Sequence, residues 1–335
     1  MNHEDILQTG VLVLEYGEPA TLDDIVPYLT AHYHGHPPSP GDIAYMRERC
    51  QRVWSGTSGD SAARRLAAAL DDELRQRYGS RFQVVLGARH WHPTVADALA
   101  HLVRTGIQYV LVLPLSPVAS QMSLRSYQET LEHAQTEVAQ PVRLHLIPDW
   151  PDLPGYRSAL TINATLALER LPDRDRGRTA LLAIAHSVAE SARKPETEYQ
   201  WRLRQTMQRL VSTLGCGAGY LAYYGAEGPG RWLGPDVLSA LDEIARARFR
   251  HVLAVPINTV YDNVEVCYEL DVRMAERAAA LGLGYVRADI PNAAPALIAD
   301  LATLVAQTAA SPGLTDHRKR PTINEENNAG DGVSY

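Results

Sequence analysis

A chain of 335 residues, 45% apolar and 21% charged, has the material for two ordinary domains or one large one. Its 39 acidic against 32 basic side chains leave a formal charge of −7, the wrong sign for a general nucleic-acid or anionic-membrane binder. Three scattered cysteines, Cys50, Cys216 and Cys267, exclude an intrachain disulfide framework and a four-cysteine metal site, and they favour a reducing cytoplasm. No apolar run approaches the ~20 residues of a membrane span, and the N-terminus has no signal-peptide pattern. A soluble cytoplasmic protein is expected. The surplus of 12 His and 16 Tyr over 2 Phe is unusual.

Short apolar runs alternate with longer amphipathic ones along the whole chain. In order, Gly10–Tyr16, Gln83–Gly87, Tyr109–Leu113 and Val142–Ile147, then Thr179–Ala185, Gly219–Tyr223, His251–Val255 and Gly284–Ala288, are apolar without alternation. Strands buried on both faces read this way. Helices are predicted over Ser61–Tyr78, capped by Asp60 or Ser61 and ended by Gly79, and over Pro93–Arg104, Ser123–Ala139, Asp236–Arg248 and Asn263–Leu281. The alternation predicts an α/β protein with parallel sheets. Four strands lie on each side of the Pro-rich stretch Pro148–Pro154, and Leu111-Val-Leu-Pro114 is echoed by Leu253-Ala-Val-Pro256. Two similar domains are expected, 1–150 and 151–311, with the last helix able to pack back on the first. Residues 312–335 lack apolar periodicity and are expected to be a disordered tail.

Ligands of open parallel sheets bind beyond the carboxyl ends of the strands. Tyr16, His90, His92, His186, Asp262 and Glu265 all follow strand ends, so titratable groups converge on one predicted edge. No GxGxxG or GxxxxGK[ST] follows the first strand, and no serine-hydrolase elbow is present. The pairs His90/His92 and His34/His36 have spacing that could ligate a metal, but in loops this is more often coincidence. Taken alone, His186 could be a strand-end histidine bonded to a carbonyl, Glu265 a carboxylate favoured by a helix dipole, and Tyr16 a packing residue.

Six strings resemble the motif set of the ferrochelatases, in order and spacing over roughly residues 8–310. They are Leu14-Glu-Tyr-Gly-Glu-Pro19, Ser120-x-x-Ser-x-x-Ser-Tyr127, Ala185-His186-Ser187, Trp232-Leu-Gly-Pro-Asp-Val237, Asp262-Asn-Val-Glu265-Val and Ile290-Pro-Asn-Ala-x-Pro-x-Leu-Ile-x-x-Leu301. The resemblance implies two similar Rossmann-like domains, each with a four-stranded parallel sheet, and a porphyrin cleft between them. It implies insertion of Fe²⁺ into a porphyrin in haem biosynthesis. His186 and Glu265 would be the catalytic pair and Tyr16, Ser120, Tyr127 and Asn263 the substrate-binding residues. His186, Glu265 and Glu269 would meet the metal, and i,i+4 spacing puts the two glutamates on one helix face. Metallation must remove two pyrrole protons as a dication enters, which suits an imidazole held by a carboxylate.

Several positions depart from the family. Asn263 replaces a titratable histidine, and Arg273 ends the carboxylate row after Glu269. Ser187-Val188-Ala189, Gly56–Asp60 and Pro117–Ser120 differ from the usual strings. No cysteine follows Cys267, so the iron–sulfur cluster of some relatives is not expected, and no cofactor beyond substrate Fe²⁺ is. The expected partners are a porphyrin or other small molecule and a divalent metal, with no nucleic acid, in a monomer or weak homodimer. Two rival readings remain: a divergent relative acting on a different substrate in specialised metabolism, and a non-catalytic porphyrin, haem or metal binder.

Overall fold

The computed structural model describes residues 8–54, 61–171, 176–189, 197–226 and 230–311. The Gly56–Asp60 string and the 312–335 tail lie outside the described residues, so neither expectation meets an observation.

All eight apolar runs form strands: β1 Thr9–Glu15, β2 Phe82–Ala88, β3 Tyr109–Pro114 and β4 Arg143–Leu146, then β5 Thr179–His186, β6 Ala218–Tyr224, β7 His251–Pro256 and β8 Gly284–Arg287. They build two four-stranded, all-parallel sheets, ordered β2-β1-β3-β4 and β6-β5-β7-β8. The central strands are buried along their length, as runs without alternation require. The order reverses at the first strand of each sheet, so both sheets open a crevice at the carboxyl ends of their central strands.

The helices are α1 Ile25–His32, α2 Pro40–Val53, α3 Ala62–Tyr78, α4 Val95–Arg104, α5 Gln121–Glu137, α6 Pro154–Glu169, α7 Thr197–Leu214, α8 Val237–Arg246, α9 Val264–Cys267, α10 Ala275–Ala280 and α11 Pro295–Ala309. Side-chain caps decide the starts. The Ser61 hydroxyl accepts from the Arg64 amide at the head of α3. Thr94 and Asp97 form a capping box, so α4 begins at Val95 and not at Pro93. Ser120 caps α5 and brings its start forward to Gln121.

The predicted single helix Asn263–Leu281 is interrupted. A π-helical stretch, Tyr268–Met274, separates α9 from α10. The wider turn shifts the side-chain register, and Tyr268, Glu269, Leu270, Val272 and Met274 are all buried in it. A helical periodicity in the sequence cannot distinguish this from an ordinary helix.

One apolar core runs through both halves and joins Leu66 and Leu70 of α3, Leu113 of β3, Leu181 of β5, Val255 of β7 and Leu301 of α11. The last helix does pack back: Arg77 of α3 donates to Thr303 of α11 at 3.2 Å. At the α6–α11 crossing a Cβ on Gly155 would lie 2.1 Å from the Ala296 carbonyl oxygen, and the Gly155 amide donates to Asp300. Gly155→Ala must push the two helices apart. It is expected to cost about 2–3 kcal/mol, seen as a lower thermal midpoint, and an unchanged midpoint would refute the close-packed crossing.

Candidate functional site

His186 is the last residue of β5, and Glu265 sits in the first turn of α9; His186 Nε2 and Glu265 Oε1 are 3.3 Å apart. Both side chains are partly open, 44% and 32% exposed. His186 Nδ1 lies 2.6 Å from the Ser187 carbonyl oxygen, which can only accept, so Nδ1 carries a hydrogen. The Nε2 lone pair of the neutral ring therefore faces a carboxylate oxygen. Two acceptors this close require a proton or a cation between them, and the pair is built to hold one.

Gly225 makes room for the pair. Its φ is +74°, and a Cβ there would fall 2.3 Å from His186 Nε2 and 2.8 Å from Glu265 Oε1. The Tyr224 ring packs edge-on to the imidazole, 5.1 Å between centroids. Behind the histidine, Tyr199 donates to the His186 carbonyl at 2.9 Å. Asn258, two residues past β7, donates to the Tyr199 hydroxyl at 3.2 Å and grips the Val118 backbone at 2.9 and 3.1 Å. The position of His186 is thus tied to the loop after β3 in the first sheet.

Glu265 is held by its helix start. The Asn263 side chain caps α9 by accepting from the Val266 amide at 3.0 Å, and Glu18 from the first half accepts from the Val264 amide at 2.8 Å. Burial pushes the Glu265 carboxyl up, yet the His186 charge and hydrogen bond, with Arg49 and His32 beyond, hold it below the usual carboxylate range. It stays an anion at neutral pH. Glu269 does not extend this anion outward: it is buried, and Arg273 meets both of its oxygens at 3.1 and 2.8 Å.

Tyr16 belongs to a second cluster. Its Oη is 3.0 Å from His32 Nδ1, and its ring lies 4.7 Å from that of His90. Arg89 sits over both Tyr16 and Tyr127, at 5.4 and 5.7 Å. Burial first, then the charges of Arg89, His32 and His34, push His90 down to about 3. Of the other predicted residues, Ser120 is buried and spends its hydroxyl capping α5. Asp262 accepts from Asn292 at 2.7 Å, while His92 faces Asp97 at 3.7 Å, away from His90. No group of three His, Cys, Asp or Glu among the described residues is arranged to hold a metal ion, so the His90/His92 and His34/His36 spacings build no such site. Trp232–Asp236 is structural: Ala189 and Trp232 form a bridge, and Asp236 caps α8.

At the start of α9, and not lined by His186 or Glu265, lies a cavity of about 200 Å³ whose walls include Glu15, Glu18, Trp54, Arg64, Trp91 and Asn263. Burial, then the Glu18 charge, pushes Glu15 up to about 7 against a partial offset from Arg64. Burial also raises Glu18 to about 7, with Asp262 adding to it and the Val264 amide opposing. Gly225, Asn258, Tyr199, Glu18 and His32 went unrecognised in the sequence. Only Gly225 carries a local signal, a glycine just past a strand end; the others act through partners more than 10 residues away.

The family described as Ferrochelatase matches residues 8–309. The chain is 28% identical over 299 residues to the ferrochelatase of Herpetosiphon aurantiacus, covering 89% of this chain and 98% of that one. It is 29% identical over 308 residues to the coproporphyrin III ferrochelatase of Oceanobacillus iheyensis, covering 90% and 97%. Among solved structures, SirB from Bacillus subtilis with Fe³⁺ superposes with a TM-score of 0.55 at 11% identity, covering 90% of this chain and 96% of that one. CbiX, from denitrifying bacteria, gives 0.50 at 13% identity, covering 91% and 100%. These two likenesses speak for the fold.

Glu15 and Glu18 bind protons more tightly in the folded chain than in the unfolded one, where 4.5 is usual. Their contribution is therefore most favourable below about pH 4.5 and is lost as pH rises to about 7. One carboxyl moved that far is worth at most about 3 kcal/mol. Glu15→Gln should raise the thermal midpoint at pH 8 and leave it nearly unchanged at pH 4; equal effects at both would contradict the raised value.

Proposed function

The chain belongs to the ferrochelatase family, and on that premise we propose how this porphyrin metal chelatase works: His186 and Glu265 take a proton from the macrocycle as the metal enters. The observation that carries this reading is the 3.3 Å approach of His186 Nε2 to Glu265 Oε1, in a chain the family matches over residues 8–309.

Inserting a dication into a free-base porphyrin breaks two pyrrole N–H bonds while four nitrogens turn their electron pairs to the metal. Nδ1 of His186 is committed to the Ser187 carbonyl, so the imidazole offers Nε2 to the incoming proton or metal. Glu265, kept anionic, stabilises the imidazolium that forms and passes the charge on. Gly225 lets the two side chains meet, and the Tyr199–Asn258 support keeps the strand end from drifting as the ring binds.

The names of the curated relatives support iron as the metal, and one of them supports coproporphyrin III as its acceptor; we take protoporphyrin as the second candidate macrocycle. We place Tyr16 and Tyr127 at the macrocycle. Asn263 and Ser120 serve from behind it, as helix caps whose bonds position neighbouring backbone. Glu269, closed by Arg273, supports the helix more than it meets metal. Three cysteines with none after Cys267 support a reaction without an iron–sulfur cluster and a reducing, cytoplasmic setting. No helix among the described residues is long and apolar enough to cross a membrane. Both members of the pair come from one chain, which is compatible with the monomer or weak homodimer we propose.

Purified protein mixed anaerobically with Fe²⁺ and either porphyrin should shift the Soret band to that of the metalloporphyrin. His186→Ala should lower kcat at least ~10²-fold. Gly225→Ala, whose methyl would occupy the space between the two side chains, should do the same without unfolding the chain. No metalloporphyrin with either macrocycle, beside an active control enzyme, would overturn Fe²⁺ insertion as its reaction. Full activity in His186→Ala would remove the pair from the mechanism.

A further inference from the structure

A second side-chain pair stands apart from His186 and Glu265. Tyr16, 40% exposed at the carboxyl end of β1, places its Oη 3.0 Å from Nδ1 of His32, the last residue of α1. His90 packs against both rings, 4.7 Å from Tyr16 and 5.1 Å from His32, and Arg89 covers the Tyr16 ring. Two observations set this pair against the first. Once protonated, His32 carries a charge felt at the Glu265 carboxyl, so an imidazole from the first half and one from the second both act on the same anion. And Glu18, two residues beyond Tyr16, bonds the Val264 amide, one residue before Glu265, so one seam holds both pairs.

We propose that Tyr16 and His32 are the second proton acceptor of metal insertion, serving the macrocycle from the first half as His186 and Glu265 serve it from the second. The proposal rests on the chelatase reading, in which two pyrrole protons leave for each metal that enters. The bookkeeping closes without another reactant. A pyrrole N–H bond breaks, and its electron pair stays on nitrogen for the metal. The proton bonds to Tyr16 Oη as the phenol's own proton passes to His32 Nδ1. The resulting imidazolium returns to neutral by releasing that proton to solvent, which reaches the partly exposed His32.

The surroundings select His32 over its neighbour. His90 is held neutral by burial and by Arg89, His32 and His34, so it can pack and accept a hydrogen bond but cannot take up the proton at working pH. Tyr28, Tyr33 and His34 also face His32 or its cluster, and the charges of His32 and of Arg49 on α2 both lower the Glu265 carboxyl. Tyr16 is thus the residue at the reacting proton, and His32 acts through it.

His32→Asn tests the difference between carrying a proton and orienting a phenol. An Asn oxygen accepts from Tyr16 near the place of Nδ1 yet cannot hold the proton. With Fe²⁺ and porphyrin followed anaerobically from pH 6 to 9, His32→Asn and Tyr16→Phe should each lower kcat about tenfold or more. The porphyrin KM should change less than about twofold, and the double variant should be no slower than the worse single one. The kcat profile of His32→Asn should also lose one ionisation. Wild-type kcat and pH profile in His32→Asn would reduce His32 to an orienting role and overturn the proposal. So would additive losses in the double variant, or a loss confined to KM. Circular dichroism of each variant separates these results from misfolding, and wild-type activity in the same assay separates them from failure of the chelatase reading. An inactive wild type would overturn that reading and this one together.

Discussion

Asn258 is the hinge pin of the molecule. Its amide closes on both backbone groups of Val118 in the first half and donates to Tyr199, which in turn holds the carbonyl of His186. Two parallel sheets can each open a crevice, but nothing in either one sets how the two crevices face. How they face is set by the apolar core shared between the halves and by a few polar ties across the seam, and this series of bonds ends directly on His186. A second tie, Glu18 to the Val264 amide, ends one residue from Glu265. The distance between His186 and Glu265 is therefore held from two sides by backbone bonds, one at the His186 carbonyl and one at the residue before Glu265, which keeps a partly exposed pair in register.

The excess of tyrosine over phenylalanine has the same origin. Tyr156 donates to the Ile257 carbonyl, Tyr285 to the Leu270 carbonyl, Tyr199 to that of His186, Tyr268 to Glu48 and the Tyr224 hydroxyl meets Thr259. Each packs an aromatic ring, half-buried for Tyr285 and buried for the others, and uses its hydroxyl to fasten another segment. Phenylalanine would fill the same volume and leave the carbonyl without that partner. The histidines divide differently. His186 and His32 stand in polar pairs open to a proton, His90 is kept neutral inside a cluster, and His92 and His133 lie exposed beside acids on their own surface.

The site is costly to keep folded. Glu15 and Glu18 are buried close enough to oppose each other's ionisation, and Arg64 and the Val264 amide compensate only in part. A neutral residue at Glu15 would suit the core better. Glu18 shows what the arrangement obtains in return, because its oxygen holds the helix that presents Glu265. Asn263 contributes at the same turn as an N-cap, a task suited to a short amide and independent of any titration. Asn263 thus gives a firm helix start two residues before Glu265.

The central strands were readable from composition along the chain, because a strand buried on both faces must be continuously apolar whatever its neighbours are. The edge strands β4 and β8 are half-buried and were marked only as short apolar runs between helices. Helix starts at Ser61 and Asp236 were equally local, since a cap bonds an amide two or three residues away. His186 and Glu265 were legible through the strings around them. The π stretch Tyr268–Met274 was not, because its sequence has ordinary helical periodicity and only packing of Glu269 and its neighbours shows the wider turn. Nor were Asn258, Tyr199, Glu18 and His32, whose partners lie on other elements. Local chemistry determined the elements and where along the chain the reactive groups stand. Only the tertiary structure decided which of them meet, because a hydrogen bond across a seam leaves no period and no spacing in the sequence that makes it.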